Sequence, residues 1–211
     1  MENNLPVAKK RLRSAIKARL AALSLDRREA AMKLYENLLA MPRVADAKTI
    51  CVFVDFGNEM ETRYFIPCLF DGPGFTRVVG VPFCVGKIMR FYKLERPTLA
   101  PESHEPVFRD LAASNYGILE PTLERQNSPQ HIVAPEDIDV MLTPGLAFDL
   151  QGRRLGRGAG YYDRYLPQLR RDAFIVGIGY EEQLVEETPA GELDFRVHAV
   201  VTPVRSAICN I

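Results

Sequence analysis

Apolar side chains at Leu12, Ile16, Leu20 and Leu23 recur at four- and three-residue steps, so the segment from Pro6 to Leu23 is predicted to be an amphipathic helix. Asp26, with Glu29 three residues on, forms a variant of the capping box. A second helix therefore runs through Leu38 and Leu39 until Pro42 stops it. The pattern then changes. Thr49 to Val54 (TICVFV) is a continuous run of β-branched and aromatic residues, the signature of a buried strand. Gly57, Asn58 and Glu59 mark a loop, and Thr62 to Phe70 reads as helical with Pro67 against it. Val78 to Val81 gives a second strand closed by Pro82, and Ile88 to Leu94 a third. Prolines make Glu95 to Pro106 loop-like, and Asn115 to Pro135 reads as an extended excursion over the surface or a site. Ile138 to Leu142 is the next strand, followed by a loop from Pro144 to Arg157 and a helix from about Gly158 to Leu166. Phe174 to Tyr180 and Ala199 to Thr202 supply the last strands.

Strands alternating with helical stretches predict an α/β fold of three layers, a mainly parallel sheet covered by helices on both faces. No repeat or linker divides the chain, so residues 1–211 are expected to form a single domain. Ligands of such sheets bind beyond the carboxyl ends of the strands.

Of the 211 residues, 47% are hydrophobic and 26% charged, the balance of a folded soluble chain. Lys and Arg total 27, as do Asp and Glu, so no global positive field exists to hold nucleic acid, and none is expected as a partner. No window approaches the roughly 20 apolar residues of a membrane span, and a cytoplasmic location is expected. Cys51, Cys68, Cys84 and Cys209 form no C-x-x-C pair and read as reduced thiols. His104, His131 and His198 make no metal-binding pattern. The charge is uneven, however. No acid occurs between Glu2 and Asp26, where Lys9, Lys10, Arg11, Arg13, Lys17 and Arg19 crowd the first helix. A solvated face, a phosphate-contacting arm and a targeting presequence all fit this cluster.

The densest chemistry lies in Pro144 to Leu166, PGLAFDLQGRRLGRGAGYYDRYL. Gly156, Gly158 and Gly160 alternate with Arg157 and Ala159 between a strand and a helix, a pattern that lets backbone N–H groups approach an anion. Arg153, Arg154 and Arg157 add guanidinium forks, and Asp163 offers oxygen to a hard cation such as Mg²⁺. The loop lacks the G-K-[ST] ending of a Walker A motif and the G-x-G-x-x-G spacing of a dinucleotide fingerprint. Tyr161, Tyr162 and Tyr165 suit either stacking on a heterocycle or helix-to-sheet packing.

PGLAFD followed by GRRLGRGAGYYDRYL resembles the signature of the 5-formyltetrahydrofolate cyclo-ligase family. AKKRLRSAIKARLAALS is similar to that family's basic opening helix, GNEMETRYF to its Glu-x-x-Thr segment, YGILEP to its G-I-x-E-P stretch and AVVTP to its closing strand. These pieces stand in the family's order from Ala8 to Pro203. The resemblance implies an enzyme that uses ATP and Mg²⁺ to close 5-formyltetrahydrofolate to 5,10-methenyltetrahydrofolate, as a monomer or weak homodimer. It implies ATP contacts from Lys9, Lys10, Arg13 and the run Arg154, Leu155, Gly156, Arg157, Gly158, Ala159, Gly160, Tyr161 and Tyr162. It assigns the folate to Val54, Glu59, Tyr116, Arg157 and Tyr161, catalysis to Arg157 and Glu59, and the metal to Asp163. Met89 and Phe91 are either apolar walls of that pocket or plain core.

Two positions depart from the family. Ala159 stands where many relatives have Lys or Gly, and His198 where many have a second Asp, which puts a two-carboxylate Mg²⁺ site in doubt unless Asp194 substitutes. A non-catalytic paralogue that retains the pocket is the alternative. A sugar-phosphate isomerase or CoA-transferase relative is a third reading, on fold analogy alone.

Overall fold

The computed structural model describes residues 4–115 and 117–211. Helix α1 spans Leu5–Ala21 and α2 spans Arg27–Leu39, the latter capped by the Asp26 carboxylate, which accepts from the Glu29 N–H. The short α3 is Pro42–Ala45. Eight strands form the main sheet: β1 Thr49–Val52, β2 Val78–Val85, β3 Ile88–Lys93, β4 Ile132–Val133, β5 Val140–Thr143, β6 Phe174–Ile178, β7 Ala199–Val201 and β8 Ser206–Ile208. Their order is β4-β3-β2-β1-β5-β6-β7-β8. The central pairs are parallel, and antiparallel strands close both edges, β3 and β4 on one side and β8 on the other.

Alternation along the strands explains the three layers. Ile50, Val52, Val140, Leu142, Val176 and Val201 point to one face, where Ile16 and Leu20 of α1 and Leu34 and Leu38 of α2 bury them. Cys51, Met141, Ile175 and Val200 point to the other, against Tyr165 and Leu166. A one-residue slip in any of these strands would exchange the two cores, so the register is strongly specified.

Four expectations need correction. Pro82 does not end its strand. Leu94 N–H donates to Val79 O, and bonded positions alternate along an antiparallel pair, so the Pro82 nitrogen faces away from β3. On that side the pairing with β1 has already stopped at Gly80, and no ladder bond is lost. The stretch Thr62 to Phe70 forms two 3₁₀ turns, Thr62–Tyr64 and Ile66–Phe70, rather than an α-helix. The region from Pro144 to Arg157 contains a small hairpin pairing Ala147–Phe148 with Arg154–Leu155. The helix expected from Gly158 begins later: with α4 at Leu123–Gln126, it is α5, Tyr161–Tyr165, because Gly158 and Gly160 hold φ of 118° and 68°, outside the right-handed helix. No helix among the described residues is long and apolar enough to cross a membrane.

Candidate active site

The chain runs outward from β1 to β2, β3 and β4, then returns to β5 and proceeds the other way, which leaves a topological switch between β1 and β5. A crevice opens beyond the carboxyl ends of these two strands, lined by Phe53 and Val54 after β1 and by Pro144 and Gly145 after β5.

The loop after β1 is fixed by its own side chains. Thr62 Oγ1 donates to Phe53 O (2.7 Å) and accepts from Asp55 N (3.1 Å). The buried Asp55 carboxylate accepts from Arg63 N (2.9 Å) and Arg63 Nε (2.8 Å). This network accounts for the Thr of the Glu-x-x-Thr segment: Thr62 ties the loop shut and thereby aims Glu59. Glu59 Oε2 accepts from Phe56 N (3.0 Å) while Oε1 pairs with Arg157 Nε at 2.8 Å. Burial pushes the Glu59 carboxyl up from its ordinary value, against the opposing pull of Arg157.

The facing wall is the glycine loop. Arg154 is 4% exposed; its guanidinium donates to Asp163 Oδ1 (2.7 Å) and Pro144 O (3.2 Å), while its Nε has no partner among the described residues. From α1, Arg13 Nε donates to Gly156 O (2.9 Å), which docks the basic helix on the loop. Arg157 reaches across to Glu59 and to Phe56 O (3.0 Å).

Two cavities meet at this ion pair. The larger, about 350 Å³, has a mostly apolar wall that includes Phe53, Val54, Pro82, Met89 and Ile118. The smaller, about 270 Å³, is lined by Lys17, Asn58 and Gln183 among others; Glu59, Gly145 and Arg157 border both. Most residues assigned from sequence come together here. Gly156, Ala159, Gly160, Tyr161 and Tyr162 line the larger cavity with Arg154, Arg157 and Asp163. Tyr161 OH donates to Gly86 O (2.7 Å), and the buried Tyr162 hydroxyl has no partner among the described residues, burial pushing its pKa well above the ordinary phenol value. Gly158 lies against Arg13, whose guanidinium carbon would be 3.9 Å from a Cβ placed there.

Other assignments fall elsewhere. Leu155 is buried in the core under α1 and α2, so only its backbone borders the loop. Lys10 is exposed on the far side of α1, and Lys9 Nζ pairs with Asp194 (2.5 Å). Arg153 is committed to Asp149 (2.7 Å) and Glu187 (3.0 Å), away from the cavity. Met89 is a wall, whereas Phe91 is core, its ring against Tyr165. Tyr116 lies outside the described residues. Sequence reasoning missed Asp55, Cys84 and Gly145, and it left Lys17 unassigned. Lys17 was findable, because Lys9, Arg13 and Lys17 stand at four-residue steps on one stripe of α1.

His198 lies away from the crevice. Its Nδ1 accepts from Ile175 N (2.9 Å) and its ring stacks on Phe174, at the start of β6 and far along the strands from the crevice. Burial and the nearby Arg43 lower its basicity. Asp194 instead neighbours Phe195, whose N–H donates to Asp163 Oδ1 (3.3 Å). Among the described residues no three His, Cys, Asp or Glu side chains cluster as a ready metal cage. Asp163, paired with Arg154, is linked to the neighbourhood of Asp194, paired with Lys9, through the backbone N–H of Phe195; such carboxylates suit a hard cation that takes most of its oxygens from a phosphate ligand and water.

A crevice with cations and a glycine turn on one wall, and a carboxylate over an apolar floor on the other, defines an α/β protein built to hold an anionic ligand against an apolar one. Within that class the chain belongs to the 5-formyltetrahydrofolate cyclo-ligase family, which matches residues 6–203. It is 32% identical over 169 residues to the 5-formyltetrahydrofolate cyclo-ligase of Escherichia coli K12, covering 79% of this chain and 84% of that protein. With the mouse 5-formyltetrahydrofolate cyclo-ligase it shares 26% over 205 residues, covering 92% and 93%. The NMR structure of Aquifex aeolicus 5,10-methenyltetrahydrofolate synthetase superposes with a TM-score of 0.76 at 27% identity, covering 96% of this chain and 93% of that one.

Proposed function

We propose that this chain is an ATP-dependent ligase that converts 5-formyltetrahydrofolate to 5,10-methenyltetrahydrofolate with release of ADP and phosphate, acting as a single domain. The observation that carries the reading is the Glu59–Arg157 pair standing where the apolar cavity meets the glycine loop. A formamide carbonyl is a poor electrophile and its oxygen a poor leaving group. Transfer of the γ-phosphoryl group to that oxygen forms the O–P bond and releases ADP. N10 then attacks the activated carbon, the C–O bond breaks, phosphate departs, and N10 gives up its proton. No covalent enzyme intermediate is needed, so the protein contributes alignment, charge and exclusion of water.

In this reading the reduced pterin occupies the apolar cavity against Val54, Met89 and Tyr161. The triphosphate lies along the amides of Gly156 to Gly160, with Arg13 behind it. Arg157 leaves Glu59 for the transferring phosphoryl group, and Glu59 then accepts from the folate and steadies positive charge as the ring closes. Mg²⁺, when bound with the nucleotide, neutralises phosphate charge; Asp163, with Asp194 beside it, would hold it. The enzyme is proposed to be cytoplasmic, to work as a monomer or weak homodimer, and to have no nucleic-acid partner.

Purified protein mixed with 5-formyltetrahydrofolate and MgATP should produce the near-ultraviolet band of the methenyl product with an equal amount of ADP. Absence of an ATP-linked product would remove this reading, and tight folate binding without turnover would favour a non-catalytic paralogue.

A further inference from the structure

Outside the crevice a buried charged cluster ties several chain segments together around Arg125. It lies beneath the excursion between β3 and β4, where Leu111–Ala113 and Leu119–Pro121 form a hairpin of their own. The tip of this hairpin supplies Ile118 to the wall of the apolar cavity, and Ser114 N–H donates to Ile118 O (2.8 Å). The second hairpin strand packs on β2. A two-stranded ribbon of this length is not stable alone, so something must hold its base.

Arg125 of α4 does so. The side chain is largely buried, the residue being 9% exposed. One terminal nitrogen pairs with Glu95 and lies 3.6 Å from Asp110 Oδ2; the other donates to His131 Nδ1 (2.7 Å) and Lys93 O (3.5 Å). Guanidinium has no acceptor, so His131 must accept at Nδ1. Asp110, 6% exposed, enters the hairpin: its Oδ2 accepts from Glu95 N (2.6 Å), its backbone O accepts from Thr122 N (3.0 Å), and its Oδ1 has no partner among the described residues. One fork thus joins the end of β3, the entry to the hairpin, the segment leaving it and the approach to β4. An ammonium group presents a single point and cannot reach these directions together.

We infer that Arg125, clamped on Asp110, Glu95 and His131, is a positioning residue that sets the hairpin over the apolar cavity and so governs affinity for the folate but not for the nucleotide. The inference rests on the proposed function only in naming what the cavity binds. The nucleotide elements, α1 and the glycine loop, share no hydrogen bond or ion pair with this cluster among the described residues.

Arg125→Lys tests it. KM for 5-formyltetrahydrofolate should rise at least about tenfold, while KM for MgATP stays within about twofold. Hydrogen exchange of the ligand-free variant should speed up in residues 110–121 and remain unchanged in residues 156–165. Asp110→Asn, which keeps the shape and removes the charge, should move the same quantities in the same direction by less, and it decides the matter if Arg125→Lys does not fold. An unchanged folate KM, or equal rises in both KM values, would overturn the inference. A wild-type protein that fails to turn over the folate would instead overturn the functional reading, and with it the ligand named here, while the ligand-free exchange still judges the clamp by itself.

Discussion

The two loops that face each other across the crevice are built on opposite plans. The loop after β1 closes on itself: Asp55, Thr62 and Arg63 satisfy its backbone before any ligand arrives, and Glu59 is held at both carboxylate oxygens. The glycine loop has few bonds within itself and is tethered from outside by Arg13 on Gly156 O and by Arg164 on Ala159 O. Gly158 leaves open space where a side chain would stand, while arginine side chains crowd Gly156 and Gly160. A ligand recognised by shape and a single carboxylate benefits from the first design, since little ordering cost remains to be met on binding. A flexible chain of phosphates benefits from the second, because N–H groups that are not already committed can converge on oxygens. Arg157 belongs to the second loop and contacts the first, so it couples them.

The largest effect is therefore expected from cutting that coupling. Arg157→Ala should lower kcat by roughly a thousandfold or more, the scale of removing a guanidinium from a transferring phosphoryl group. Folate affinity, measured by equilibrium titration without nucleotide, should change by no more than severalfold, because Val54, Met89 and the apolar wall remain. Equal loss of turnover and folate binding would mean that Arg157 serves the ground state alone.

The next test strains the open loop without removing charge. At Gly158 a Cβ meets nothing closer than Arg13 at 3.9 Å, so the cost of Gly158→Ala comes from its φ of 118°, which L-residues rarely adopt, about 1–3 kcal/mol. Relief of that strain would turn the amides away, and KM for MgATP should rise about ten- to hundredfold. Gly160 sits at φ 68°, in the left-handed region that costs about 1–2 kcal/mol, and its Cβ would press on the movable end of Arg164. Gly160→Ala should be the milder of the two, and Gly160→Asn milder still. The reverse order in steady-state kinetics would show that the amide following Gly160, rather than the turn at Gly158, makes the critical contact.

How far the sequence foretold this arrangement follows from which forces act locally. The Asp26 cap, the α1 stripe and the central strands were legible, because capping and hydrophobic periodicity are properties of neighbouring residues. The α/β alternation placed a site beyond the carboxyl ends of the strands and composition picked out the glycine loop, but the strand order that opens the crevice between β1 and β5 was not legible. The hairpin hidden between Pro144 and Arg157 was not legible, since its strands are two residues long and stabilised by tertiary contacts. The role of Thr62 was not legible either, as it depends on Phe53 nine residues back. Arg153 and Arg154 are chemically identical and adjacent, yet one faces Asp149 and the other Asp163; only the backbone of the hairpin decides which reaches the site. His198 drew notice because it departs from a family Asp, yet it directly precedes the strand from Ala199 and so stands at that strand's amino end, away from the crevice.

The smallest effect concerns the stability of the closed loop. Glu59 has a raised carboxyl pKa in the folded chain because burial outweighs the attraction of Arg157, whereas in the unfolded chain it titrates near the ordinary 4.5. Between those two values the folded state binds more protons than the unfolded one, so stability falls as pH rises through the window, and above it the ionised Glu59 remains a net cost. Glu59→Gln removes that cost, and the Arg157 it leaves behind is nearly half exposed and can turn to water. The variant should melt about 2 °C higher than wild type at neutral pH, with the difference shrinking toward pH 4, as followed by calorimetry across that range. A variant that melts lower at neutral pH would show that the ion pair repays its burial, and the closed loop would then be held partly by the open one.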